Sequence, residues 1–195
     1  MRNQDTCVMS KGRSAARAFL RGAEGAQLLE FALVLPMLLV IVFGAADFGA
    51  AWALKDKLSN AARDAARIAA SQTNDLNGGG TPPASVTALR DVVANYLTNA
   101  KVTTCPDSAA TPWTVASAGT LAWQYTSSST GCGAFLLKIE RGYTFVSGTT
   151  TIPATRVTLT YPFTWNIGRL MKLMIPASTL GNSVNITTAV VMQNL

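Results

Sequence analysis

Sixteen consecutive residues, Phe31 to Ala46, carry no charge, and the stretch from Leu33 to Phe43 is aliphatic or aromatic apart from Pro36. A helix that is apolar all round has no face for water and belongs in lipid. At 1.5 Å per residue this core is roughly 24 Å long, short of the roughly 30 Å hydrocarbon layer. The span therefore borrows Leu28 and Leu29 on one side and Phe48 to Leu54 on the other, which puts Glu30 and Asp47 near the two membrane faces. A carboxylate deep in the layer costs about 2.5–3.5 kcal/mol on insertion scales, so Glu30 calls for a cationic partner. Asp47 reads as an interfacial acid that snorkels to water.

The twenty-odd residues before the span are basic: Arg2, Lys11, Arg13, Arg17 and Arg21 all precede Gly25. A secretory signal peptide has its apolar stretch ahead of the cut, and here the order is reversed. The positive-inside rule holds this end in the cytoplasm and sends everything from about Phe48 to the other side, the periplasm in a Gram-negative cell. Gly25 and Glu30 then have the spacing of a type IV prepilin signal, which places a glycine at the cut, a glutamate five residues on and a hydrophobic helix beyond. Glycine leaves the backbone open to a protease. Cleavage after Gly25 creates an ammonium at Ala26, which Glu30 of a neighbouring subunit can neutralise inside the membrane or fibre.

Gly25 to Phe31, the following LVLPMLLVIVFGAADFG and the AARDAARIAA of Ala61 to Ala70 together resemble the TadE-like pseudopilins of tight-adherence (Flp-type) pilus systems. Val184 to Met192 is similar to the last strand of that family. The chain departs from the family at Ala50, where a basic residue is frequent, and at Gln193-Asn194-Leu195, where charged ends are frequent. The resemblance implies a prepilin-peptidase substrate that primes, caps or joins a pilus. Its partners would be the peptidase, other pilins or pseudopilins, the inner-membrane assembly platform and membrane lipid. It implies no cofactor and no small-molecule substrate. The location it implies is the inner membrane, single-pass, and after assembly the pilus. A permanently anchored adhesin or scaffold, or a pseudopilin of a secretion machine, are the alternatives.

Within the span, Pro36 predicts a kink or a locally melted turn. Ala45 with Gly49, and Ala46 with Ala50, are small residues four apart, either a close-approach surface for another helix or the ordinary composition of a membrane helix. Beyond the membrane, Ala51, Leu54, Leu58, Ala61, Ala65 and Ile68 keep 3-4 spacing while Lys55, Asp56, Lys57, Arg63, Asp64 and Arg67 fall elsewhere, on a solvated face. The alanine-rich seam packs on this chain's own sheet or on a partner helix. One helix over residues 27–71 would be roughly 65 Å long.

Asn74 to Pro83, with three consecutive glycines, breaks the helix as a flexible connection. It is no phosphate loop, because no Gly-Lys-Ser/Thr follows. A second helix starts near Pro83, with Val86, Leu89, Val92, Val93, Tyr96 and Leu97 on one side. From Lys101 the alternation of Leu121–Tyr125, Phe135–Ile139, Tyr143–Val146 and Val157–Tyr161 predicts strands. Arg141-Gly142, Ser147-Gly148 and Ile152-Pro153 read as the short turns that make them antiparallel, and Thr126 to Gly133 reads as a polar loop. The expected fold is α+β and pilin-like: a long N-terminal helix, a second amphipathic helix and a small antiparallel sheet of four or five strands. The organisation is a leader over 1–25, a transmembrane and extended helix over 26–72, a Gly/Pro linker over 73–83 and an exported domain over 84–195. Trp165 to Ile175 is either core or a short amphipathic helix on the membrane surface.

The chain has no histidine, so no Ser-His-Asp or Cys-His arrangement exists. The exported acids Asp56, Asp64, Asp75, Asp91, Asp107 and Glu140 form no motif, which leaves enzyme chemistry without support. Cys7 departs with the leader. Cys105 and Cys132 both fall on the oxidising side and are expected to pair. Without histidine or a third exported thiol, a zinc or other metal site is not expected. The net charge of +6 suggests nucleic acid at first sight. Removing the five leader cations with Asp5 and Glu24 leaves eleven basic and eight acidic residues, a net of +3 with no aromatic-studded basic stripe, and nucleic-acid binding is not expected.

Overall fold

The computed structural model of the chain describes residues 23–72, 81–102, 105–168 and 183–194; the basic leader with Cys7, the glycine-rich connection over 73–80 and most of the 165–175 stretch lie outside them. Helix α1 (Ala23–Ser71) is 49 residues long and includes Pro36. The melted turn expected at that proline does not form. A proline removes one main-chain hydrogen bond, and the leucine- and valine-rich turns on either side keep theirs.

Two compact units divide inside α1, Met1–Ala46 and Asp47–Leu195. In the first, the described residues are all helix, and Leu28, Phe31, Leu33, Met37 and Ile41 are each more than 60% exposed. An 18-residue window of α1 has a mean hydropathy of 2.5 with none of it buried in the protein. By length and composition α1 can cross a membrane.

The second unit is α+β. Helix α2 (Ala84–Asn99) and strands β1 (Thr114–Gly119), β2 (Ala122–Thr126), β3 (Leu136–Ser147), β4 (Thr150–Thr164) and β5 (Ser183–Gln193) follow in chain order. The five strands form one antiparallel sheet in sequence order. Leu58, Ala61, Ala62, Ala65, Ala66 and Ala69 of α1 and Val86, Leu89, Val93 and Leu97 of α2 share a core with Trp123, Tyr125, Phe135, Leu137, Ile139, Val157, Leu159 and Tyr161. Small side chains on α1 let its backbone come close to the bulky residues of the sheet.

Helix α2 follows an extended Pro83 and ends in a Schellman motif. The Val102 amide donates to the Leu97 carbonyl at 2.8 Å and the Lys101 amide to Thr98 at 3.0 Å, with Lys101 in the left-handed region at φ 56°.

Two of the expected turns are absent. Strands β3 and β4 run straight through Arg141-Gly142 and Ile152-Pro153. Glu140 pairs with Arg156 and Tyr143 with Ala154, so β3 carries one extra residue, a bulge. A one-residue slip reverses the side-chain faces, and this one brings Tyr143 beneath Arg156, whose guanidinium lies 4.5 Å from the ring centre. Pro153 sits one position past the last β4–β5 pair, Ala154 with Gln193, where a missing amide costs little. The turn at Ser147-Gly148 does form: Ser147 pairs with Thr150, and Gly148 at φ 64° opens the two-residue loop with the backbone sign of a type II′ turn. Strand β1 has the small polar sequence TVASAG, too weak an alternation to read in advance.

Candidate functional site

Gly25 to Phe31 form the first turns of α1, with Gly25 partly exposed and Ala26 to Phe31 exposed. The Gly25–Ala26 bond is in the opening turn, where helices fray first, so a protease needing extended backbone has about one turn to unwind. Ala26 and Glu30 are four apart and share a helix face. Glu30 makes no ion pair with any described residue.

Ala45 and Gly49 are exposed, and a Cβ added at Gly49 would meet nothing within 4 Å. Leu58, Ala61 and Ala65 behave differently: all are fully buried in the chain's own core, with Leu54 packed at its edge. Among the described small residues of α1, Ala45, Ala46, Gly49, Ala50 and Ala53 are exposed, whereas Ala61 and Ala65 are not.

Asp47 does not snorkel. It is 3% exposed; its Oδ2 accepts a hydrogen bond from the Ile167 amide at 2.7 Å and its Oδ1 one from Asn166 Nδ2 at 2.9 Å. Residues 166–168 are helical, and the Ile167 amide, in the first turn where a helix has no internal acceptor, is what the carboxylate satisfies. These partners are 119 and 120 positions away, so no local signal announced the contact. Phe48 and Trp52, the next aromatics along α1, are 64% and 58% exposed, their rings 6.4 Å apart, with Lys55 Nζ 5.7 Å above Trp52. Aromatics followed by a cation are the residue types that favour a membrane–water interface.

Arg141 is another residue that sequence reasoning missed, having read it as part of a turn. It is 2% exposed and points inward from the bulge. Its Nη1 donates to Ser85 Oγ at 2.6 Å and its Nη2 to the Ala69 carbonyl at 3.2 Å. The last turn of α1 has no basic residue of its own, and Arg141 supplies the cation that a helix C-terminus favours. On the opposite face of the sheet, Glu140 lies between Arg156 Nε at 2.6 Å and Lys138 Nζ at 3.0 Å. The Arg156 hydrogen bond, helped by Lys138 and opposed by partial burial, holds the Glu140 carboxyl below the ordinary glutamate range.

Cys105 and Cys132 are disulfide-bonded with Cα atoms 5.5 Å apart, tying the segment after α2 to the β2–β3 loop beside Trp113 and Phe135, whose rings are 4.6 Å apart. Among the described residues no three His, Cys, Asp or Glu side chains come together.

Residues 25–67 match the family model of TadE-like proteins. The TadE-like segment begins at Gly25 and takes in the exposed apolar turns, Asp47, the Phe48–Trp52 aromatics and the buried alanines as far as Ala66. Arg141, the disulfide and the sheet lie outside the TadE-like match. No curated protein and no solved structure matches the chain.

Proposed function

We propose that this protein is a minor pseudopilin of a tight-adherence pilus, anchored in the inner membrane by α1 with its second unit on the periplasmic side. Its work is structural. The observation that carries this reading is the coincidence of a TadE-like match starting at Gly25 with an apolar window that the protein itself leaves wholly unburied. Such a surface needs lipid or neighbouring helices.

On this reading the prepilin peptidase removes residues 1–25. The new Ala26 ammonium pairs with Glu30 of a neighbouring subunit, an arrangement that neutralises both charges in a low-dielectric bundle where either alone is costly. Ala45 and Gly49 then face a second helix, and the α+β unit forms the outer surface of the assembly.

The test is the N-terminus of the membrane-extracted protein, read by mass spectrometry in cells with and without the peptidase. A chain beginning at Ala26 only when the peptidase is present supports the proposal. A chain that keeps Met1 in both cells overturns it and leaves a permanent anchor. Glu30→Ala should still be cleaved and fail to enter pili; normal piliation by this variant would remove the pairing role.

A further inference from the structure

Cys105 and Cys132 are 1% and 0% exposed, so the disulfide between them presents almost no surface to solvent. Both belong to the same buried cluster as Val102, Trp113, Phe135 and Tyr161. The bond joins two irregular segments of the second unit, residues 105–113 and 127–135.

The same two segments are held together by more than the bond. Ser128 Oγ donates to the Pro112 carbonyl at 3.0 Å, and Asp107 Oδ1 accepts the Trp113 amide at 2.9 Å. The Phe135 amide donates to the Cys132 carbonyl at 2.8 Å, and the Trp113 ring lies 4.6 Å from the Phe135 ring. Trp113 and Phe135 are themselves 4% and 0% exposed. Thiol–disulfide exchange needs a thiolate to reach one sulfur and a mixed disulfide to form there. A close-packed interior has room for neither.

We propose that this bond is made on the open chain, by an oxidant that is itself a disulfide, and is sealed when Trp113 and Phe135 close the core. One cysteine thiolate attacks the oxidant and releases a first thiol; the second cysteine resolves the mixed disulfide and releases the other. The two cysteines thereby lose two protons and two electrons, and the oxidant's disulfide gains them. A chain that closed before this step would carry two buried thiols beyond the reach of the same oxidant. Exchange runs forward and backward along one path, so a core shut to oxidation is also shut to reduction. The folded second unit keeps its bond in a reducing medium until it opens. Dithiol oxidation therefore stands ahead of every step that uses the folded unit, and the bond is a fixed one, not a regulatory switch. This order holds whether or not the chain enters a pilus.

The full chain, purified in neutral detergent, is treated with dithiothreitol at neutral pH in native buffer and in a series of urea concentrations. Free thiols are blocked with N-ethylmaleimide at intervals and counted by mass spectrometry on the peptides that carry Cys105 and Cys132. Reduction in native buffer should be about a hundredfold slower than in the urea-unfolded chain, and its rate should follow the unfolded fraction as urea rises. Reduction of the native chain at the unfolded rate overturns the proposal. Trp113→Ala removes the cover and should speed reduction in native buffer while leaving the unfolded rate unchanged. Leu89→Ala, at another buried position of the same cluster, controls for lost stability. Compared at equal unfolded fractions, only the Trp113 variant should be faster than the parent; equal rates for the two variants overturn the sealing role of Trp113.

Discussion

The Ile167 amide donates a 2.7 Å hydrogen bond to the carboxylate of Asp47, 120 positions earlier in the chain. Asp47 is the first residue of the second unit, so the helix that leaves the apolar run is fastened at once to the far end of β4. Asp47→Ala removes the acceptor for two donors, and the expected loss is about 1–3 kcal/mol, combining a lost cap with an unsatisfied amide. Denaturant unfolding of the detergent-solubilised chain measures it. A double-mutant cycle with Asn166→Ala should show coupling, because the two side chains touch; strict additivity would mean that the Asn166 bond contributes nothing.

Arg141 holds the end of α1 and the start of α2 from inside the core. Arg141→Met keeps much of the volume but leaves Ser85 Oγ and the Ala69 carbonyl without this donor, and the expected cost is about 2–4 kcal/mol. Arg141→Lys should recover little, since one ammonium cannot reproduce the two-armed geometry of the guanidinium. A lysine variant as stable as the parent would contradict this account.

The Cys105–Cys132 bond closes a loop with a sequence separation of 27. In the chain-entropy model its removal by Cys105→Ala with Cys132→Ala costs about 3–4 kcal/mol. Comparing thermal midpoints of the parent, with and without reductant, and of the double variant checks the figure. Reduction of the parent and the double substitution should lower the midpoint by similar amounts.

Glu140 gives a pH dependence of known sign. Its folded-state carboxyl titrates below the ordinary range because Arg156 and Lys138 favour the ionised form. The unfolded chain therefore binds a proton more readily, and stability rises with pH across the window between the two values. The contribution is complete above the ordinary glutamate pKa of about 4.3 and is lost as pH falls through the lower folded value. In Glu140→Gln this part of the acid limb should flatten. A difference between variant and parent that stays constant from neutral pH down to the acid limb would rule Glu140 out as its source.

Much of the fold was legible because its signals are local. Uncharged length from Phe31, 3-4 spacing through Leu58 and Ala65 and strand alternation after Lys101 each depend on residues within a few positions of one another. What was misread depends on residues far apart. Arg141-Gly142 has the composition of a turn and becomes a bulge only because β2 and β4 flank it. Ile152-Pro153 looks like a break and is tolerated because β5 ends beside it.

The sequence by itself determined that an apolar helix leads into an antiparallel α+β unit, and it marked Gly25 and Glu30 as the residues to test, since hydrophobic length, periodicity and motif spacing are properties of neighbouring residues. Tertiary structure decided which face of α1 is spent internally and which remains open: Leu58, Ala61 and Ala65 are buried under the sheet, while Ala45 and Gly49 stay exposed. It also decided that Asp47 is a buried cap and that Arg141 joins the two helices. Such outcomes follow from which distant polar groups the packed chain brings within hydrogen-bonding reach, and spacing along the sequence carries no record of them.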